Sequence, residues 1–314
     1  MLPTVNDVGA VDPVLTNMLL GYMQDDMRFV AGRVFPPVPV PNDSGTYYIV
    51  TKKYNFFDDL EPRAPGSEFG QLGLGVSTDT YTTKQWAGKI PVPDEVEANN
   101  QAPMAVAEMA LRRLAQASLI RKEVQWATDF MTSSVWGTDK TVDNKWSDYA
   151  NSDPVGDVLL GVETIGNNTG VEANAMVLGR IVDRRLKNHP DILDRLKYTN
   201  TATVATVDGA LAALFGVANY WVGKASYSNT NEAATFSASA IIDDDCLVCV
   251  VNPGAGIMGV TAGKTFAWDG GGGVGQIRTY YSDDHDAAMI KHKEQWDQKA
   301  TATDCGYFFA DVTD

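Results

Sequence analysis

The stretch from Asn100 to Trp136 constrains this chain most. Its apolar positions Val106, Ala110, Leu114, Ala117, Ile120, Val124, Ala127 and Met131 step by three or four, the spacing of one helix face. Asn99 or Asn100 can cap the start, Pro103 suits the first turn, and Gly137 can end the helix. Such a helix would run roughly 50 Å at 1.5 Å per residue, far beyond the globular average. It predicts an elongated body rather than a compact ball.

What precedes the helix is of another kind. Residues 1–44 read as an arm. Val14 to Asp26 can form a short helix with Leu15, Met18, Leu19 and Tyr22 on one side. The run Phe35-Pro36-Pro37-Val38-Pro39-Val40-Pro41 then holds the backbone extended, since each proline fixes φ and removes a donor. By that argument the run does not lie inside a sheet and can lie along another surface, including that of a neighbouring subunit. Thr46 to Tyr54 and Tyr81 to Val92 read as strands. Between them lie Glu61-Pro62-Arg63-Ala64-Pro65-Gly66-Ser67 and three further glycines, a connection of turn residues with few large apolar anchors. This pattern predicts a projecting hairpin, marginal in water unless it leans on something.

After the long helix, Pro154 to Ile165, Arg180 to Lys187, Asp191 to Leu196 and Leu211 to Phe215 read as helices. Ala175 to Leu178, Ala218 to Lys224, Cys246 to Val251 and Tyr307 to Val312 read as strands, and Gln276 to Tyr281 and Asp286 to Gln295 as long exposed-edge strands. Helices and strands mix without a βαβ repeat, which points to an α+β fold. The formal net charge of −15 argues against tight binding to nucleic-acid phosphates. No run of about 18 apolar residues predicts a membrane span. Three cysteines build no disulfide framework, and cytosolic synthesis is the natural reading.

The chemical motifs are weak. Gly259 to Thr265 has three residues between its glycines where a phosphate loop needs four. Gly270 to Gly275 spells G-x-G-x-x-G, but the β-like Gln276 to Tyr280 follows it where a dinucleotide site needs a helix, so a flexible loop is expected. Cys246 and Cys249, three apart in a strand, point to opposite faces and make a poor metal pair. Asp243 to Asp245 and Ser282 to Asp286 read as solvated turns, with a cation at a subunit boundary as the other reading. His189, His285 and His292 form no catalytic set, and His189, ahead of Pro190, is expected to cap or pack at a helix break. These readings leave no catalytic residue, cofactor site or metal site.

Several segments carry a likeness in order. They are Phe29-Val30-Ala31 with Val34-Phe35-Pro36; Arg63-Ala64-Pro65-Gly66; Trp146-Ser147-Asp148; Asn174 to Gly179 running into Leu186, His189-Pro190 and Lys197-Tyr198; and Leu211 to Val217 with Val222 to Ala225. Together with the sequence of arm, hairpin, long helix, mixed domain and final strands, they resemble the major capsid proteins of tailed bacteriophages, which share the Hong Kong 97 fold. The resemblance implies an N-terminal arm over 1–44 and an extended loop over 45–93. It implies a peripheral domain over 94–153 and 276–314 with a spine helix over about 100–136, and an axial domain over 154–275. It also implies hexamers and pentamers closing an icosahedral shell around double-stranded DNA, which is enclosed without sequence-specific binding. The virion capsid would be assembled in the bacterial host cytoplasm, with a separate scaffolding protein and a portal as partners and no enzyme activity.

Inter-subunit contacts are expected at Phe35, Pro36 and Pro37 in the arm, Arg63 and Pro65 at the hairpin tip, and Arg112 and Arg113 on the long helix. Some relatives link a loop lysine to a neighbour's asparagine. Here Lys52, Lys53, Lys84 and Lys89 sit away from the tip, so no covalent cross-linking is expected. An encapsulin-type compartment of the same fold is the alternative, and a nucleotide-binding enzyme is a more distant one.

Overall fold

The structure, a computed structural model, describes residues 27–50, 75–98, 106–197, 207–228, 237–254 and 259–314, most of 56–73, and positions 52, 230, 235 and 256. The expected helix over Val14 to Asp26 lies outside the described residues. In chain order the first elements are α1 (Ala31–Val34), β1 (Pro37–Val40), β2 (Ser44–Val50), β3 (Val76–Thr82), β4 (Lys84–Pro93), α2 (Asp94–Ala98), α3 (Val106–Phe130), β5 (Thr138–Thr141) and α4 (Pro154–Thr169). There follow β6 (Ala175–Gly179), α5 (Arg180–Lys187), α6 (Pro190–Lys197), α7 (Val207–Leu214), β7 (Asn219–Gly223), β8 (Ser226–Tyr227) and β9 (Ser239–Ala240). The last are β10 (Cys246–Cys249), β11 (Gly263–Trp268), β12 (Gln276–Ser282), β13 (Ala287–Ala300) and β14 (Gly306–Ala310).

Two five-stranded sheets make the body. The first is built on β13. One edge of β13 pairs antiparallel with β4 from Ala287↔Pro93 to Trp296↔Lys84. The other edge takes β12 over Ala287–Lys293 and β11 over Trp296–Ala300. β13 is therefore central, not the exposed edge expected of it. Residues 269–275 fill the gap between β11 and β12. A short 3₁₀ turn at Asp269–Gly271 leads back to β13, where Gln295 N–H donates to Gly273 O. The glycine run is thus an interruption within one sheet edge, folded against β13, rather than a flexible loop.

The second sheet has the order β5-β14-β10-β6-β7. Every residue of β6 and β10 is buried, which needs cover on both faces. Helix α4 packs on β10 and β14, and α5 packs on β6 and β7. Asp153 caps α4, accepting from Gly156 N–H at 3.0 Å with Pro154 in the first turn, and Gly170 closes it at φ 68°. Strand pairing crosses the expected divisions at 154 and 275. β5 and β14 belong with β10, and β11 belongs with β13. Each sheet thus draws on strands distant in sequence.

The long helix is real, but it ends at Phe130, short of Trp136. Its 25 described residues span about 37 Å. The stop has a cause: the Trp136 indole folds back and donates from Nε1 to the Phe130 carbonyl at 2.8 Å, while Ser134 takes φ 69°. The buried residues of α3 are Ala110, Leu111, Leu114, Ala115, Ser118, Glu123, Trp126 and Phe130. Of the stripe expected from spacing, Ala110, Leu114 and Met131 are buried, but Ala117 is exposed and Val106, Ile120, Val124 and Ala127 are only half-buried.

Candidate assembly surfaces

The arm meets the body first. From Phe29 onward it belongs to the core of its own chain. Glu123, on α3 and buried, accepts from the backbone N–H groups of Val30 (3.1 and 3.0 Å) and Ala31 (2.8 Å), satisfying the free donors at the start of α1. Phe35 is fully enclosed, its ring centroid 4.6 Å from Phe130, 6.0 Å from Trp126 and 6.3 Å from Trp136. Gly263 lies beneath the ring, and a Cβ there would come within 2.1 Å of it. Thr265 Oγ1 donates to Phe35 O at 2.8 Å, and Thr265 N–H donates to Pro36 O at 3.1 Å.

The proline run then does what its composition seemed to forbid, pairing in parallel with β11 from Pro37↔Thr265 to Val40↔Trp268. It can do so as an edge strand. Val38 and Val40 are buried against the sheet while Pro37 and Pro39 face solvent, where a missing N–H costs no ladder bond. Phe35 and Pro36, expected at a subunit contact, are buried in their own chain, and Pro37 is exposed on the edge. An aromatic beside prolines reads as readily as an anchor into the chain's own core.

The hairpin projects from that edge. β2 and β3 pair over seven residues, and Tyr47 and Tyr81 seat its base on Phe266, with centroids at 5.3 and 4.6 Å. Tyr47 Oη donates to Asp79 at 2.7 Å, and burial together with that carboxylate raises the phenol pKa well above its usual value. Beyond Val50 the connection is not poor in apolar side chains. Phe56, Phe57, Leu60, Phe69 and Leu72 are all exposed, Leu60 at 81% and Phe69 at 78%. Arg63 and Pro65 are exposed among them, and the Arg63 guanidinium lies 4.2 Å from the Phe69 ring centre. Part of the connection also touches its own body: Lys52 pairs with Asp304 at 2.6 Å, and the Phe56 ring lies against Gly170.

A third region lies between α3 and β13. Glu294, buried, accepts from Ser118 Oγ at 2.8 Å and pairs with Lys122 Nζ at 2.7 Å. His292 Nε2 lies 3.6 Å from the same oxygen, too far for a hydrogen bond. Burial pushes the Glu294 carboxyl up, but His292 and Lys122 outweigh it and hold the group at about 2. Apolar clusters flank this polar joint. Leu111, Leu114, Ile277 and Ile290 lie on one side, and Phe35, Trp126 and Phe130 on the other. Arg112 and Arg113 are exposed on α3, with Arg112 bonded to Glu108 at 2.6 Å.

The remaining groups serve the fold. Ser152 Oγ lies 3.1 Å from His189 Nε2, and Asp191 Oδ2 is 3.9 Å from Nδ1, which looks like a hydrolytic triad. The proton runs the wrong way. Nδ1 accepts the Asp191 N–H at 3.3 Å, so Nε2 carries the hydrogen and donates to Ser152, whose own hydroxyl donates to Asp148 O at 2.7 Å. His189 caps the start of α6 and packs edge-on against Tyr149, the role its position suggests. Cys246 and Cys249 sit in β10 with burial pushing both thiols up. Lys264, in β11, turns its ammonium to Gly259 O at 2.9 Å. Among the described residues no group of three His, Cys, Asp or Glu side chains is arranged to hold a metal ion, and no helix is long and apolar enough to cross a membrane.

The expected contact residues thus sit on three separate elements. Glu123, Glu294 and the five apolar tip residues were not picked out from sequence. The tip could have been, from its phenylalanines and leucines.

No protein-family model matches the chain. Over 231 residues it is 28% identical to the major capsid protein of Burkholderia phage BcepMu, covering 72% of each chain. Among solved structures it is similar to a phage-related protein from Bordetella bronchiseptica RB50. That match has a TM-score of 0.73 and 21% identity, over 97% of this chain and 98% of the other. It is also similar to the capsid of cyanophage P-SCSP1u, with a TM-score of 0.57 and 12% identity, over 90% and 87% of the two chains. With a capsid fold along nearly its whole length and a capsid protein's sequence along most of it, this chain belongs to the major capsid proteins of tailed phages, built on the Hong Kong 97 fold.

Proposed function

We propose that this capsid protein works by assembly alone, joining copies into hexamers and pentamers that close an icosahedral shell around double-stranded DNA. The observation that carries this reading is the contrast between a body that completes its own core and a hairpin that holds Phe56, Phe57, Leu60, Phe69 and Leu72 in water. Large apolar side chains left exposed in such number on one connection mark a contact. The hairpin acts as the extended loop. The sheet of β13 with α3 forms the peripheral part, and the sheet of β10 the axial part.

Closed shells need heterologous contacts that repeat around rings, and projecting elements supply them without enlarging any one core. Arg63 and Pro65 at the tip and Arg112 and Arg113 on α3 are placed to meet neighbours. The charge of −15 suits a wall that encloses DNA without gripping its sequence. A separate scaffolding protein and a portal complete the partners.

Electron microscopy of the expressed protein tests this. Closed particles of uniform size are expected, and virions should hold DNA within the same wall. Particles filled with protein cargo would instead make the chain a compartment, and a well-ordered monomer at high concentration would overturn the reading.

A further inference from the structure

A cavity of about 320 Å³ opens where the arm root, α3 and the sheet of β13 meet. That is the small end of the range for ligand pockets. Phe29, Phe35, Leu119 and Val274 supply apolar wall. The charged groups beside them are already engaged. Lys122 pairs with Glu294 and donates to Val274 O at 3.2 Å, Glu123 holds the Val30 and Ala31 amides, and Arg33 Nη2 donates to Met27 Sδ at 3.0 Å. Two neutral groups on the wall are not. Trp296, 2% exposed, has no protein partner for its Nε1–H, and Gln298, 6% exposed, has none for Oε1. The two residues lie two apart on β13, so their side chains leave the same face of the strand. Buried donors and acceptors are nearly always matched, and leaving one unmatched costs free energy that a fitting ligand recovers.

We propose that this cavity binds a small neutral molecule carrying a carboxamide on an apolar body. The amide carbonyl accepts from Trp296 Nε1–H, the amide N–H donates to Gln298 Oε1, and the body lies against Phe29, Phe35 and Leu119. A carboxamide offers an acceptor and a donor side by side without charge, which is what the two unmatched groups require. A charged head is the poorer match, because the ionic groups on the wall already have partners. Bound there, the ligand touches the arm root, α3 and β13 at once and clamps the joint at which the arm enters the core. The site makes no use of the hairpin tip and stands apart from the assembly function.

Benzamide is the probe, titrated by calorimetry into the full chain beside acetophenone, which keeps the carbonyl and lacks the N–H. Benzamide should bind and raise the thermal unfolding midpoint. Acetophenone should bind about tenfold more weakly, the worth of one hydrogen bond. Gln298→Leu should weaken benzamide by about the same factor and leave acetophenone unchanged, whereas Trp296→Phe should weaken both. Failure of benzamide to bind the unsubstituted chain overturns the proposal. So does equal binding of the two probes, which would leave a cavity that selects apolar bodies alone, and so does tighter binding of benzoate, which would give the site to an anion at Arg33. These probe comparisons need no substitution, so a variant that fails to fold does not shelter the idea. Particles are scored separately by electron microscopy; closed shells with no benzamide bound would keep the assembly function and sink only this inference.

Discussion

The two sheets reach stability by different means. In the sheet of β10, the strands β6 and β10 bury every residue, and their side chains are almost wholly apolar. In the sheet of β13, the long central strand buries His292, Glu294, Gln295 and Gln298 beside Ile290 and Trp296. The first sheet relies on packing, which tolerates apolar exchanges that keep volume and shape. The second depends on a few polar groups finding their partners, and one missing partner leaves a buried charge exposed to the full cost of desolvation. The arm root joins the two, since Phe35 fills the apolar core while its carbonyl binds Thr265 of β11.

Substitutions can sharpen this contrast. The largest loss is expected from Phe35→Ala, about 3–5 kcal/mol from an emptied aromatic site, measured by urea unfolding. Gly263→Ala should be strongly destabilising with Phe35 in place and much less so in Phe35→Ala. If the two costs simply add, the ring does not fill the space above Gly263.

Next comes the buried pair. Lys122→Met or Glu294→Leu alone should each cost about 3–5 kcal/mol, and the double variant much less than the sum. Glu294 titrates below its usual 4.5, at about 2, so its contribution is full above pH 4.5 and is lost as the pH falls through that window. A pH series of unfolding midpoints should show this acid loss in the parent and not in the double variant.

Glu123→Gln should cost about 1–3 kcal/mol by weakening the bonds to Val30 and Ala31, and hydrogen exchange at those two amides should rise. Asp245 has the opposite sign. Burial, with Asp244 and Asp311 nearby, raises its pKa to about 6, so the charged form destabilises the fold at neutral pH. Asp245→Asn should gain about 1–2 kcal/mol at pH 7 and nothing at pH 3. The smallest effect on the subunit belongs to the hairpin. Leu60→Asp with Phe69→Asp should change unfolding by about 0.5 kcal/mol or less, yet abolish particles in electron micrographs.

Sequence reading succeeded where one physical term dominates. Apolar runs gave β6, β7, β10 and β14, and cap chemistry placed the start of α4 at Asp153-Pro154. It went astray where two terms compete. The spacing of α3 joined the buried Ala110 and Leu114 to Ala117, Ile120 and Val124, which are apolar but exposed or half-buried, while the buried side includes Ser118 and Glu123. No local rule ranks a glutamate as interior when its partners, Val30 and Ala31, lie more than ninety residues away. The prolines of β1 were set against a sheet because the missing donors were counted without asking which edge they would face. The site was least legible of all. Arg63 and Pro65 lie exposed on the hairpin connection, whereas Phe35, expected at a contact, is enclosed in its own core.

The close fit of Phe35 over Gly263 also bears on how this wall protein can evolve. Neither position can drift by itself. A larger residue at 263 displaces the ring, and a smaller one at 35 leaves a hole. Descendants should therefore keep both residues or exchange both, and a lineage that had traded the aromatic for something slighter would be the one free to grow a side chain opposite it.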